Sequence, residues 1–294
     1  MAINFGGVVY AWSSGRIIGL FVTSGVLFTL FGIQQSFSIF TTQSHRIFPI
    51  EFLKSRTMLI LFICMACGST ATFVPIYFIP LFFQFVRNSS ALAAGVHLLP
   101  YIFMLVFFCI ANGAIMSKTG WYSPWYIFGG VFVVIGEALL YTTTSTTSSS
   151  SVYGYSVLAG IGAGAFIQAA FSVAQATVGE ELIPVAIGYI TCAQVGGGTI
   201  ALAIANAVFL NRASNSIAVI LPTVPVQEIK AAIAGAGSKF IKNLDADTQA
   251  KVLNAIVHAM SRVYILGITA GALTIILSLF MKREKLFMKA AGGA

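Results

Sequence analysis

The segment Val263–Met281, with the sequence VYILGITAGALTIILSLFM, decides the fold class of this protein. It is a continuous apolar run without a charged residue, and Lys282 and Arg283 follow it directly. About twenty apolar residues in helical conformation are long enough to cross the hydrocarbon core of a bilayer. Strands of a membrane barrel would instead appear as shorter segments of alternating hydrophobicity. The segment therefore predicts a transmembrane helix.

The composition of the whole chain extends this prediction. Of the 294 residues, 58% are hydrophobic and only 8% are charged, and the mean hydropathy is +0.92. A soluble domain carries roughly 25% charged residues because its surface is hydrated. With so few charges, most of the surface must face lipid, where helices satisfy their own backbone hydrogen bonds. We therefore expect an all-α, polytopic bundle of transmembrane helices whose main partner is the lipid bilayer.

Six further apolar runs have the length of a span, and polar segments separate them. Together with Val263–Met281 they make seven complete spans, and a short apolar fragment, Met1–Ala11, precedes them. Pro75 and Pro80 each remove a backbone donor, so they are expected to kink or break the span that contains them. The other six predicted spans are Ile17–Gln35, Thr57–Val86, Gly95–Met116, Tyr122–Tyr141, Val152–Val178 and Pro184–Leu210.

The spans and polar segments divide the chain into six regions. Lys and Arg residues near the span ends favour the side of the C-terminal tail, which predicts that the tail is cytoplasmic. The predicted regions are a partial span and a central linker span in 1–36, a cytoplasmic loop in 37–56, five spans in 57–210, a long extracytoplasmic connection in 211–261, the last span in 262–281 and a basic cytoplasmic tail in 282–294.

The long connection contains an amphipathic pattern. Asp247 and Thr248 are suited to cap a helix. The apolar face of that helix would carry Val252, Ile256 and Met260, together with Leu253 and Val257. An amphipathic segment between spans is typical of a helix that lies on the membrane surface, and we predict that location here.

Several function classes are excluded by the residues present. The net charge of +8 comes from residues between the spans and in the tail. No basic stripe with interleaved aromatic residues lies outside the membrane, so we expect no nucleic-acid partner. Cys64 and Cys67 are spaced as a metal-binding pair, but no second pair completes a zinc site, so we expect no metal and no cofactor. Paired carboxylates, a His cluster and a Ser-His-Asp set are also missing from the membrane faces, which argues against an enzyme.

Several short motifs resemble a known family of transporters. The segments Ala11–Ile18 (AWSSGRII) and Gly120–Tyr126 (GWYSPWY) are similar to loops of fungal drug:proton antiporters with fourteen spans. These proteins belong to the major facilitator superfamily. The most specific resemblance lies in Gly160–Gly164 (GIGAG), Ile190–Gly198 (ITCAQVGGG) and Ala203–Asn206 (AIAN).

The resemblance implies a fold and a function. It places the chain at the seventh to fourteenth spans, as a six-helix C-terminal bundle preceded by central linker spans. It implies multidrug-type efflux of small apolar organic compounds (drugs, toxins or secondary metabolites) by exchange with protons. The plasma membrane is the expected location, with the vacuolar membrane left open. The six N-terminal spans and their motifs are not in the sequence, so a transport-inactive fragment, or a half-transporter that needs a partner half, is the alternative.

Polar residues inside the spans are the candidates for substrate binding. Polar groups are costly in lipid, so they face a cavity or a neighbouring helix. Gln168 and Gln194 rank first because they lie several residues inside their spans, and Asn112 and Asn206 follow. The alternative for each residue is a hydrogen bond between helices.

Glu137 is the only acidic residue within a span, which makes it the candidate for proton coupling. It lies near a span end, so a side chain that simply reaches the interface is the alternative.

The glycines indicate packing. The pair Gly160 and Gly164 has the spacing that lets helix backbones approach closely, and Gly196 and Gly197 are interpreted in the same way. A nucleotide-binding interpretation fails because no strand precedes these glycines.

Overall fold

A computed structural model of the chain describes Gly6, Tyr10 and residues 13–37, 50–234, 244–283 and 285–286. Apart from an isolated bridge between Gly6 and Tyr10, the regular elements of these residues are helices. Most of the predicted apolar fragment Met1–Ala11, the loop residues 38–49 and the tail beyond Leu286 lie outside the described residues.

The helices of the described part of the chain are numbered here in chain order. Short 3-10 turns at Glu180–Leu182 and Arg262–Tyr264 connect α8 to α9 and α11 to α12. The helices are α1 (Gly15–Phe37), α2 (Ile50–Lys54), α3 (Arg56–Val86), α4 (Ala91–His97), α5 (Leu99–Thr119), α6 (Ser123–Tyr141), α7 (Ser149–Phe166), α8 (Ala169–Thr177), α9 (Ile183–Ile220), α10 (Val226–Ala234), α11 (Ala246–Ser261) and α12 (Ile265–Leu279).

Within the described residues, seven helical segments are long and apolar enough to cross a membrane. This confirms the predicted class of all-α transmembrane bundle. One helix runs past its predicted end, because α9 continues from Leu210 to Ile220. Ala213 and Ile217, four residues apart on this extension, are both buried. Residues at this spacing share a helix face, so burial of that face stabilises the extension.

The helix α3 is continuous through Pro75 and Pro80, so the predicted break does not occur. A proline inside a helix leaves the carbonyl group four residues earlier without its usual donor. For Pro75 that carbonyl belongs to Ala71, and the Tyr101 hydroxyl donates a hydrogen bond to it at 3.0 Å. A neighbouring helix therefore satisfies the backbone group that the proline leaves free.

The predicted amphipathic helix forms as α11, with two differences from the prediction. Its cap is Asp245 and not Asp247, because the Asp245 carboxylate accepts a hydrogen bond from the Thr248 amide at 3.1 Å. Its apolar face, including Val252 and Ile256, is buried against α9 and α3 and does not lie free on a membrane surface. The apolar face of α11 therefore packs against other helices, where the sequence predicted contact with lipid.

The segments 211–234 and 244–261 form a unit that we call the cap. Buried residues of α10 and α11 belong to the same hydrophobic core as residues of α3 and α9. The cap is therefore packed on one end of the bundle. The shared core includes Phe82, Phe83, Phe209, Ile217, Ile229, Ile233, Val252 and Ile256.

Candidate functional site

The predicted packing glycines lie at close helix crossings, with one exception. A Cβ atom at Gly160 would come within 2.5 Å of the Tyr101 carbonyl oxygen, and one at Gly164 would overlap the Leu105 carbonyl oxygen. Gly197 lies against the backbone of Ala66. A Cβ at Gly196 would meet no described atom within 4 Å, so close packing does not explain that glycine. The contacts of Gly160 and Gly164 therefore show that the backbones of α5 and α7 lie directly against each other.

The contacts of Gly160 and Gly164 also fix the register of α5 and α7. Tyr101 faces Gly160 and Leu105 faces Gly164, so the two helices run parallel with a constant offset. Extended by two turns, the same offset brings Asn112 on α5 to within about one helical turn of the level of Gln168.

Asn112 and Gln168 have different surroundings. Asn112 is 1% exposed, and its amide nitrogen has no hydrogen-bond partner among the described residues. Gln168 is exposed at the joint between α7 and α8. A buried amide without a partner is unusual, because leaving a polar group unpaired costs free energy. Asn112, which is buried, and Gln168, which is exposed, therefore lie at similar levels along the axes of α5 and α7.

Gln194 and Asn206 do not join this pair. Both lie half-buried on α9, which packs beside α3. Twelve residues separate them, which corresponds to about 18 Å along a helix. The four candidates for substrate binding therefore do not form a single cluster.

Glu137 is fully buried, at 0% exposure, so the alternative that its side chain simply reaches the interface does not hold. It lies on α6 against Gly267 of α12, where an added Cβ would overlap the carboxyl group. Tyr101 of α5 and Tyr264 are within electrostatic range of the carboxyl group. Within the described part of the chain, neither carboxyl oxygen has a hydrogen-bond partner.

Glycines on both sides of α6 cause this burial. Gly129 and Gly136 meet the backbone of α7, and Gly130 meets Gly271 of α12. Small residues let helix backbones approach closely in a membrane. Because two helices pack closely on α6 near Glu137, the side chain lies inside protein instead of facing lipid or water.

Arg262 contacts α6 one helical turn beyond Glu137. Tyr141 follows Glu137 by four residues on α6, and Arg262 donates a hydrogen bond from Nη1 to its hydroxyl group. Arg262 Nη2 also lies 3.4 Å from His258 Nε2 of α11, while its Nε has no partner among the described residues. The arginine therefore links α6 with the cap at the end of the bundle closest to Glu137.

Sequence reasoning missed Tyr101, Tyr264 and Arg262 as neighbours of this region. The two tyrosines lie in apolar runs that contain many aromatic residues, so nothing in the pattern distinguishes them. Arg262 stands directly before the last span, where a charged residue is ordinary. Only the pairing of helices places the two tyrosines near Glu137 and Arg262 against Tyr141.

Seven spans and a carboxyl group enclosed between them define the class of a polytopic α-helical membrane protein with an ionisable group in its interior. No protein-family model matches the chain. Curated relatives do match it over its full length. The MFS-type transporter pgmG of Aspergillus terreus is 50% identical over 100% of this chain, which covers 51% of that protein. The efflux pump alnA of Emericella nidulans is 45% identical over 100% of this chain, which covers 54% of that protein.

A third relative comes from a different fungus. The phomenoic acid biosynthesis cluster MFS-type transporter of Leptosphaeria maculans is 42% identical over 100% of this chain, which covers 50% of that protein. Fungal MFS-type transporters and efflux pumps are therefore homologues of this chain over its full length. It spans about half the length of the curated relatives it matches, consistent with a C-terminal portion.

Proposed function

We propose that this chain forms the C-terminal half of a membrane transporter that exports small apolar organic compounds. The observation that carries the proposal is the 45% identity to an efflux pump over the full length of the chain. The printed name of another relative connects it to a biosynthesis cluster, which supports a secondary metabolite as the exported class. We propose transport, not catalysis, and the plasma membrane as its location.

The proposed transport needs a second half. Transporters of this architecture bind substrate near the midplane between two bundles that rock against each other. The matched relatives are about twice as long as this chain, which supports a six-span N-terminal half as the partner. The exposed Gln168 and half-buried Gln194 are proposed to contribute polar groups to the substrate path between the halves. Asn112 and Asn206 are proposed as secondary contributors.

The energy source that we propose is exchange with protons, with Glu137 as the coupling residue. Ionisable residues inside a membrane bundle are expensive, and they commonly mark proton relays or ion pathways. Glu137 is the one acidic residue within the spans predicted from the sequence, and it lies between α6 and α12 without a cationic partner among the described residues. Because the carboxyl group is enclosed, we propose that it gains or loses its proton only when α6 and α12 separate.

The two-half proposal is tested by complementation in a host that lacks its own drug pumps. The chain is expressed alone, and also with the N-terminal half of a matched relative, and retention of a fluorescent apolar compound is measured. We expect reduced retention only when both halves are present. Export by the chain alone would overturn the need for a partner, and retention in both cases, at normal membrane abundance, would overturn the export proposal.

The coupling proposal is tested with Glu137→Gln in the complemented system. The substitution keeps the size of the side chain, so we expect normal abundance but export that no longer follows the proton gradient. Glu181→Gln is the matched control, because Glu181 is exposed in the turn before α9. If Glu137→Gln exported with an unchanged response to the gradient, Glu137 would not be the coupling residue.

The second candidate is a fragment without transport of its own, and the half-length match to the relatives favours it. A tag at the C-terminus of the natural protein tests whether this chain is a separate polypeptide or part of a longer one, because an immunoblot reports the size of the natural polypeptide. A band near 31.2 kDa would indicate a separate half. A band roughly twice as large, as expected for two joined halves, would indicate a complete transporter.

A further inference from the structure

The segment that follows α12 is fixed against the turn between α5 and α6. The Leu286 amide donates a hydrogen bond to the Gly120 carbonyl oxygen at 3.0 Å. The Tyr122 hydroxyl donates to the Lys282 carbonyl oxygen at 2.6 Å. These two bonds fix the backbone at Lys282 and at Leu286, near the start of the tail.

Gly120 is needed for this arrangement in two ways. Its φ angle of 70° lies in the left-handed region, which other residues adopt at a cost. An added Cβ would also come within 2.8 Å of the Leu286 carbonyl oxygen. Any larger residue would therefore strain the turn and push the tail away.

The docked tail completes a groove between the start of α6 and the end of α12. The groove has a cavity volume of about 210 Å³. Trp121, Pro124, Ile127 and Leu279 supply apolar surface, and Arg283 lies at its edge. We call this feature the tail groove.

Positive charge gathers at the mouth of the tail groove. Lys285 Nζ lies 5.7 Å from the centre of the Trp121 ring, so the tail places a second cation against a residue that lines the groove. No described acidic residue lines the groove. Glu284 stands between the two cations in sequence, and its side chain lies outside the described residues. The segment 282–285 therefore carries three positive charges and one negative charge.

The groove also lies where a lipid can reach it. It opens beside the end of the last span, and tryptophan at such a position is typical of the boundary between hydrocarbon and headgroups. A free anion would use the cations but leave the apolar surface unfilled. A zwitterionic lipid would fill the apolar surface but carries no net charge for the cations. An anionic phospholipid would cover the apolar surface with an acyl chain and pair its headgroup with the cations. Basic residues beside a span attract such lipids.

We propose that the tail groove binds an anionic phospholipid from the adjacent leaflet. The negative headgroup lies against the side chains of Arg283 and Lys285, and an acyl chain lies against Ile127 and Leu279. Arg283 presents a planar set of donors that suits phosphate oxygens, and Lys285 adds a point charge. This site is independent of substrate export and of Glu137.

The site is tested through the fluorescence of Trp121. Trp12→Phe and Trp125→Phe leave Trp121 as the only tryptophan of the chain, which has three. The full chain is reconstituted in phosphatidylcholine vesicles that contain a small fraction of lipid with brominated acyl chains, which quench a nearby indole. We expect brominated phosphatidylserine to quench Trp121 at a lower mole fraction than brominated phosphatidylcholine.

Charge variants separate a defined site from general surface attraction. In Arg283→Gln/Lys285→Gln the preference for phosphatidylserine should disappear, with roughly a fivefold loss of apparent affinity for each cation removed. Lys118→Gln is the matched control, because Lys118 lies at the end of α5 without lining the groove. Gly120→Ala keeps every charge, yet it should also lose the preference, because it displaces the tail.

Three results would overturn the proposal. Equal quenching by the two brominated lipids would exclude selective binding. If Lys118→Gln lost as much of the preference for phosphatidylserine as Arg283→Gln/Lys285→Gln, the preference would come from general attraction to basic surface and not from the groove. An unchanged preference in Gly120→Ala, with the fold checked by circular dichroism, would exclude the docked tail as part of the site. If Gly120→Ala fails to fold, the comparison between the two charge variants decides alone.

Discussion

Gly267 lies so close to Glu137 that a side chain at position 267 would occupy the space of the carboxyl group. The two residues are on α12 and α6 and are far apart in sequence. Glycine leaves the room that the carboxyl group fills. The packing of α12 over that glycine encloses the carboxyl group within the bundle.

Gly267→Ala should destabilise the contact between α6 and α12. Adding a methyl group to a filled interior costs about 1–3 kcal/mol. The double variant Glu137→Ala/Gly267→Ala should recover part of that loss, because truncation of Glu137 vacates the space. Thermal unfolding in detergent measures both, with Gly113→Ala as control, since Gly113 has no described neighbour within 4 Å of an added Cβ. A Gly267→Ala protein as stable as the Gly113→Ala control would contradict the close contact.

Tyr101→Phe tests how α3 tolerates Pro75. Without the hydroxyl group, the Ala71 carbonyl oxygen loses the hydrogen bond that it accepts at 3.0 Å. An unsatisfied buried acceptor costs about 1–3 kcal/mol. In a Pro75→Ala background the amide of residue 75 can donate to Ala71, so the same substitution should cost less.

A double-mutant cycle measures this coupling from the unfolding free energies of four proteins. Equal costs of Tyr101→Phe in the two backgrounds would show that the hydroxyl group does not replace the missing amide.

Gly164→Ala should separate α7 from α5. The added Cβ would overlap the Leu105 carbonyl oxygen, and a backbone atom cannot move aside as a flexible side chain can. Gly154→Ala on the same helix is the matched control, because it meets no described atom within 4 Å. We expect a lower unfolding temperature for Gly164→Ala only. If both variants unfolded at the wild-type temperature, the register of α5 and α7 would need revision.

Asp245 should make the start of α11 sensitive to acid. The hydrogen bond from the Thr248 backbone holds the pKa of the Asp245 carboxyl group below its ordinary value of 3.8. A lowered folded-state pKa means that the stabilisation is complete above the ordinary pKa and is lost as pH falls through the folded-state pKa. Protection of the Thr248 amide against hydrogen exchange should therefore fall in strong acid.

Two substitutions check this assignment of the cap. Asp245→Asn should keep the protection at every pH, because asparagine caps without a charge. Asp247→Asn should leave the wild-type pH profile of the Thr248 amide unchanged. A profile altered by Asp247→Asn and not by Asp245→Asn would return the capping role to Asp247.

The seven spans could be predicted because lipid demands a continuous apolar length, which is a local property of the sequence. The extension of α9 to Ile220 and the burial of Ile256 in α11 could not. Both depend on contacts between the cap and the bundle, and an apolar helix face looks the same whether it meets lipid or protein. The sequence therefore predicted the helix α11 but not its partner.

The same limit applies to the candidate site. Glu137 stands out in sequence because it is the sole carboxylate within a predicted span, but its burial depends on glycines of α6 and α12. Gly130 and Gly267 act only through the pairing of α6 with α12, which no local pattern encodes. Asn112 and Gln168 come to similar depth only because α5 and α7 run parallel.

The length of α9 has a mechanical consequence. Its 38 residues correspond to about 57 Å, nearly twice the thickness of a hydrocarbon core. Because the far end of α9 is packed with the cap, a tilt of about ten degrees at one end would move the other end, and the cap with it, by roughly 10 Å. Val219, 83% exposed near the far end, is where that displacement is greatest. A fluorescent label at this position would convert small rearrangements deep in the bundle into a signal read at the end that carries the cap.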